Sequence, residues 1–86
     1  MGYSAPLAVD DIVTRLLSKH SAEISEKLPF SFTPLHYNTK TEYGVYYSIL
    51  VHIPPKRSRF RILIFQKMPM VNNITVLESV IAVEEG

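Results

Sequence analysis

The sequence has no cysteine among its 86 residues, and this absence excludes several kinds of site together. It leaves no disulfide, no thiolate nucleophile and no zinc–thiolate centre. Because small secreted domains commonly depend on disulfides, we expect an intracellular, cytoplasmic protein. Residues 1–6 are neither basic nor followed by an apolar segment, so no signal peptide is predicted.

Long apolar runs and a strong net charge are missing too. No apolar run approaches the ~18 residues that a transmembrane helix needs, so we expect no membrane partner. The formal net charge of +1 gives no general attraction to nucleic acid. No Gly-rich phosphate loop or nucleophile elbow occurs, and His20, His36 and His52 have no further ligands at metal-binding spacing. We therefore predict no enzyme activity, no cofactor and no metal site.

What the sequence does contain is the composition of a folded domain. Hydrophobic residues make up 47% of the chain and charged residues 20%, which is typical of globular proteins rather than disordered ones. The length suits one small domain, residues 1–86, without room for a large cleft between domains.

One amphipathic helix is predicted over residues 8–27, after an N-terminal segment of residues 1–8. Its apolar side chains follow the spacing of a single helical face, and the charged side chains fall elsewhere. The apolar positions are Val9, Ile12, Val13, Leu16, Leu17, Ile24 and Leu28. Pro29 and Pro34 argue against a longer helix.

Four β-strands are predicted after the helix, because Phe, Tyr, Val, Ile and Thr dominate the rest of the chain. They cover residues 32–39, 45–53, 59–68 and 75–83. The short connections between them favour antiparallel neighbours. A helix and an antiparallel sheet must cover each other's apolar faces, so the predicted fold class is α+β.

Three stretches of the sequence carry a likeness to a known family. The first is YNT, KTEYG and VYYSILV in succession (residues 37–51), with a tyrosine before the loop, a glycine ending it and an aromatic after it. The second is RILIFQKMP (residues 61–69), and the third is the helix with its exit (residues 12–32). Together they resemble the stefins, the cysteine-free branch of the cystatin superfamily. The resemblance implies a cystatin-like fold, one N-terminal helix packed across a four- to five-stranded antiparallel sheet.

The function that the resemblance implies is reversible inhibition of papain-like (cathepsin-type) cysteine proteases by occlusion of the active-site cleft. In that family an N-terminal segment and two hairpin loops enter the cleft. The protease-binding positions carried over are Gly2, Lys40, Thr41, Glu42, Tyr43, Gly44, Met68, Pro69 and Met70. Cystatins also exchange their helix and first strands between copies, so a monomer and a domain-swapped dimer both stay open.

Two other functions stay open beside inhibition. Stefins have a Gln-Val-Val-Ala-Gly type of first loop, of which this chain keeps only Gly44, with Lys40 and Glu42 in the Gln and central Val positions. The second hypothesis is therefore a stefin-fold module whose first loop has lost the inhibitory pattern and binds another protein. The third hypothesis is an anion or nucleic-acid binder that uses a basic hairpin with Lys56, Arg57, Arg59 and Arg61.

Several predicted site residues also have a purely local explanation. Gly44 is explained by a positive φ at a hairpin, and Lys40 and Glu42 by a solvated turn. Met68 to Met70 are explained by a turn with one methionine in the core. Tyr43, Tyr46 and Tyr47 alternate across strand faces, so at least one of them is expected outside the core.

Overall fold

The fold class is α+β, as predicted: two consecutive helices precede a four-stranded antiparallel sheet in this computed structural model. The structure describes residues 2–54, 58–68 and 74–83. Its elements are α1 Asp11–Lys19, α2 Ser21–Lys27, β1 Thr33–Thr41, β2 Gly44–Ile53, β3 Ser58–Lys67 and β4 Thr75–Val83. Neither helix in this part of the chain is long and apolar enough to cross a membrane.

The helical segment starts later than predicted and is divided in two. Asp10 ends the preceding extended chain, and its Oδ1 atom accepts the N–H groups of Ile12 and Val13 at 3.1 and 3.2 Å. Such a cap satisfies backbone donors that have no partner inside the helix, so α1 begins at Asp11. His20, with φ −103° and ψ 17°, ends α1 and precedes α2. The prediction of one unbroken helix is therefore wrong at both places.

The core lies between the two helices and one face of the sheet. The fully buried members are Val13, Ile24, Ile49, Val51, Ile62 and Ile64. Strand residues two apart share a face, so the register that pairs Ile49 with Ile62 builds a continuous apolar layer under the helices. The opposite face, which we call the open face, carries Tyr46 and Phe65 on the same two strands. Ile12, predicted for the buried helical face, is instead 50% exposed.

The sheet is a meander in the order β1-β2-β3-β4, and all neighbours are antiparallel. The N-terminal segment extends it at the outer edge of β1, where Leu7 forms an isolated antiparallel bridge with Tyr37. The first hairpin is tighter than predicted, because Lys40 pairs with Tyr46 and Thr41 with Val45. Lys40 and Thr41, predicted in the loop, therefore lie in β1.

Candidate functional site

The strand register places two loops side by side. One is the first hairpin, between β1 and β2, and the other is the start of the connection between β3 and β4, which we call the second hairpin. Gly44, the first residue of β2, pairs with Lys67, the last residue of β3. The turn of the first hairpin precedes Gly44, and Met68 follows Lys67. The two loops therefore leave the sheet at the same end.

The N-terminal segment runs to that end as well. The Ser4 backbone N–H donates to the Thr39 carbonyl at 2.7 Å, and the Leu7 N–H donates to the Tyr37 carbonyl at 2.7 Å. The segment is thus antiparallel to β1, and Gly2 and Tyr3 are carried toward the first hairpin. We call the surface formed by residues 2–4, 40–44 and 67–68 the loop end.

The turn of the first hairpin presents an exposed tyrosine. Tyr43 has φ 58° and is 92% exposed, so its ring projects from the tip instead of packing on the sheet. The left-handed region is uncommon for residues other than glycine, and such positions concentrate in functional loops. The backbone N–H of Glu42 donates to the Gly44 carbonyl at 2.9 Å, which closes the turn around Tyr43.

The local geometry requires a glycine at position 44. Its φ is +154°, and a Cβ atom there would lie 2.5 Å from the Cζ atom of Phe65. The local explanation of this glycine, a positive φ at a hairpin, is what the structure shows. The contact also places the base of the first hairpin directly against β3, so the two loops have a fixed spacing.

Lys40 is packed and paired rather than solvated. Its Nζ atom lies 5.1 Å from the centroid of the Tyr3 ring and 5.0 Å from that of the Tyr46 ring. Cation–π contacts of this kind favour a fixed position for both rings. The same Nζ atom lies 3.6 Å from Oε2 of Glu42, whose side chain is 56% exposed. The solvated-turn explanation therefore fails for Lys40 and holds only for Glu42.

Further hydrogen bonds hold the N-terminal segment in place. The Ser4 Oγ atom accepts the backbone N–H of Thr39 at 3.0 Å, and Asn38 Nδ2 donates to the Ser4 carbonyl at 2.9 Å. Sequence reasoning named only Gly2 in this segment and missed Tyr3 and Ser4. No periodicity marks them, because their contacts are with β1 more than 30 residues away. Gly2 itself is exposed, and a Cβ atom there would meet no atom of the described residues within 4 Å.

The second hairpin contributes an exposed methionine to the loop end. Met68 is 57% exposed and lies just after β3, not within it as predicted. It is therefore not the methionine tucked into the core that the local explanation of this turn required. Pro69 and Met70 lie outside the described residues, as do Lys56 and Arg57 of the predicted basic hairpin.

Arg61 of the basic cluster is bound inside the open face. Its Nη1 atom donates to Asn38 Oδ1 at 2.8 Å and lies 3.4 Å from the carbonyl and 3.3 Å from Oγ of Ser48. These bonds tie β1, β2 and β3 together. This arginine is therefore part of the sheet's own hydrogen bonding.

The three tyrosines of the first hairpin have three different environments. Tyr47 faces the helices and is 6% exposed, while Tyr46 lies on the open face with its ring centroid 4.5 Å from that of Phe65. Tyr43 is at the tip. The prediction that at least one of them lies outside the core is confirmed.

Asp10 and Tyr37 join the start of α1 to β1. The Tyr37 hydroxyl donates to Asp10 Oδ2 at 2.8 Å. This bond, helped by the backbone N–H groups of Val13 and Ile12, holds the pKa of Asp10 below its ordinary value of 3.8 against an opposing effect of desolvation. Burial, and then the Asp10 carboxylate, raise the pKa of Tyr37. The contact fixes the helix relative to the strand that carries the N-terminal segment.

Two comparisons with known proteins were negative: no protein-family model matches the chain, and a search of curated proteins finds no significant match. The likeness to the stefins therefore stays a prediction that rests on the three quoted stretches of sequence.

Proposed function

We propose that this protein is a reversible, occlusion-type inhibitor of papain-like cysteine proteases, with a cystatin-like fold, and that the loop end is the surface that enters the protease cleft. One observation carries the proposal. The pairing of Gly44 with Lys67 and the contact of Tyr3 with Lys40 bring three separate segments of the chain to one end of the sheet. That is the arrangement an occluding surface needs, and it is the one that the likeness to the stefins implies.

The side chains at this end suit protein binding. Tyr43 and Met68 expose 92% and 57% of their surface, although both are large and apolar. Tyrosine is enriched among the residues that dominate binding energy, and methionine adapts to irregular surfaces. Two such side chains on neighbouring loops provide anchors for a partner's cleft.

The loop end is also held in place before any partner binds. Lys40 bridges Tyr3 and Tyr46, Ser4 is bonded to β1, and Gly44 fits against Phe65. A surface that is already ordered loses little conformational entropy on docking, so a modest interface suffices for tight binding.

The main departure from the family pattern is the carboxylate of Glu42. A carboxylate that enters a desolvated cleft without a partner costs several kcal/mol. Lys40 lies 3.6 Å away and neutralises part of that charge, although Glu42 is exposed and the pair is weak in the free protein.

The second candidate is a binding module with the same fold for a protein other than a protease. The exposed carboxylate of Glu42 favours this function, because it suits a basic surface better than a neutral cleft. Both candidates use the loop end, and they differ in whether the partner is a protease.

A titration decides between them. Purified protein is added to a papain-like protease whose active sites have been counted, and residual activity is measured over a range of inhibitor concentrations. Inhibition that reaches completion, reverses on dilution and weakens in Met68→Ala supports the proposal. Phe30→Ala is the matched control, because Phe30 is 62% exposed but precedes β1 at the opposite end of the sheet. The absence of inhibition at micromolar concentrations would overturn the first proposal and leave the second.

A further inference from the structure

A cleft lies on the helix side of the sheet, between α1 and the adjoining ends of β3 and β4. Its volume is about 360 Å³. Sites for small organic molecules occupy roughly 300–1,000 Å³, so this cleft is large enough for one. It is lined by Ile12, Arg15, Leu16, Lys19, Tyr47, Gln66 and Thr75. None of these residues belongs to the loop end.

One wall of the cleft is apolar. Ile12 and Leu16 lie one turn apart on α1, so their side chains are neighbours on the same side of the helix. Leu16 is buried, but half of the surface of Ile12 is exposed even though it belongs to the apolar face of the helix. The exposed part of Ile12 lines the cleft, and no other core side chain of the described residues covers it. An apolar ligand segment would complete this packing.

The mouth of the cleft is cationic. Arg15 and Lys19 lie one turn apart on α1, and the lining residues that the structure describes include no carboxylate. The nearby carboxylate of Glu23 is bonded to the His20 ring, with 2.9 Å between Oε1 and Nδ1. The charge on the cleft is thus complementary to an anion. Lys19 also interacts within the protein, so Arg15 is the main cation for an anion in the cleft.

The floor of the cleft contains a buried hydroxyl that is poorly satisfied. Tyr47 and Gln66 are 6% and 8% exposed, and the Tyr47 hydroxyl donates to Gln66 Oε1 across 3.5 Å. Hydrogen bonds between two oxygens are ordinarily 2.5–3.0 Å long, so this one is weak. Burial raises the pKa of Tyr47, which keeps the hydroxyl a donor at neutral pH. An acceptor inside the cleft would make a better partner than Gln66 does.

The far wall is fixed by a histidine. His20 lies at the break between the helices, and its Nε2 atom is 2.7 Å from Oγ1 of Thr75 on β4. The bond ties the end of α1 to the strand that lines the cleft. The space is therefore held open by contacts that exist without a ligand.

We propose that this cleft binds a small organic acid with an apolar tail. The carboxylate is held by Arg15, with Lys19 adding positive charge and the Tyr47 hydroxyl available as a neutral donor. The tail lies along Ile12 and Leu16. The proposal is independent of protease inhibition, because it uses another surface and other residues.

Octanoate is the probe for the test, and octanol is its uncharged match. Each is titrated into isotopically labelled protein at concentrations below self-association, and backbone amide shifts are followed by NMR. We expect octanoate to bind saturably, with its largest shifts at Leu16, Gln66 and Thr75. Octanol should bind about tenfold more weakly, because it lacks the charge that a charged hydrogen bond needs.

Two variants locate the anion. Arg15→Gln should weaken octanoate binding about tenfold and leave octanol binding unchanged. Lys27→Gln removes an exposed cation from the last turn of α2, outside the cleft, and should leave both affinities unchanged. Equal binding of octanoate and octanol, equal losses in the two variants, or shifts that cluster away from the cleft would each overturn the proposal. The absence of saturable octanoate binding would overturn it as well.

Discussion

Gly44 packs directly on the ring of Phe65, and a Cβ atom at Gly44 would lie 2.5 Å from Phe65 Cζ. The same Cβ atom would also clash with the backbone carbonyl oxygen of Gln66, which cannot move without bending β3. The φ of +154° adds strain for any other residue. We therefore expect Gly44→Ala to lower the free energy of unfolding by about 2 kcal/mol or more, measured by urea denaturation.

Gly2→Ala is the control for that experiment. A Cβ atom at Gly2 meets no atom of the described residues within 4 Å, so the free energy of unfolding should not change. If Gly44→Ala were as stable as Gly2→Ala, the close approach of the first hairpin to β3 would be wrong.

Tyr43 has a backbone conformation that favours glycine or asparagine, yet it carries a large side chain. Its φ is 58° and its ring is 92% exposed, so little packing compensates the backbone. Asparagine tolerates this region better. We expect Tyr43→Asn to raise the free energy of unfolding by about 0.5 kcal/mol and to weaken protease inhibition. If the variant inhibits as well as the parent chain, Tyr43 does not belong to the binding surface.

Tyr3 anchors the N-terminal segment through Lys40. Removing the ring in Tyr3→Ala leaves the hydrogen bonds of Ser4 without that support, so the Ser4 amide should exchange with solvent about two- to fivefold faster. Hydrogen exchange measured by NMR checks this. Tyr3→Phe keeps the ring that faces Lys40 and should restore the slow exchange. Equal exchange in both variants would show that the cation–π contact does not order the segment.

The lowered pKa of Asp10 leads us to expect a loss of stability in acid. Its pKa in the folded protein is below the ordinary value of 3.8, chiefly because it accepts the Tyr37 hydroxyl. The carboxylate therefore stabilises the fold fully above pH 3.8, and this contribution is lost as the pH falls through the lower pKa of the folded state. In Asp10→Asn the free energy of unfolding should vary less with pH in that acidic range. Asp11→Asn is the matched control, because Asp11 is not the helix cap and the variant keeps the bond between Asp10 and the Tyr37 hydroxyl.

The predictions that succeeded rest on local patterns, and two that failed, at His20 and Lys40, depend on contacts distant in the chain. Apolar spacing indicated the helical region, and β-branched and aromatic residues indicated β4 over residues 75–83, the range that it occupies. The break at His20 was missed, because its ring bonds to Thr75, 55 residues away. Lys40 was assigned to a loop, because the sequence does not show that its side chain packs between Tyr3 and Tyr46.

Glu42 is the residue that most directly tests the proposed function. Glu42→Val removes the carboxylate from the tip and introduces the residue type that stefins have at the matching position. Its pair with Lys40 is 3.6 Å long and only partly buried, so stability should fall by less than about 1 kcal/mol. Because an entering carboxylate must be desolvated, we expect the inhibition constant to improve about tenfold.

Glu26→Val is the matched control for Glu42→Val, because it removes an exposed glutamate of α2 far from the loop end. Its inhibition constant should equal that of the parent chain. If the parent chain does not inhibit and Glu42→Val does, the loop end has the geometry of an inhibitor. The carboxylate at the tip is then what prevents binding to the protease. An unchanged or weaker inhibition constant in Glu42→Val would mean that the carboxylate meets a cation in the protease cleft. The expected desolvation cost of Glu42 would then be wrong.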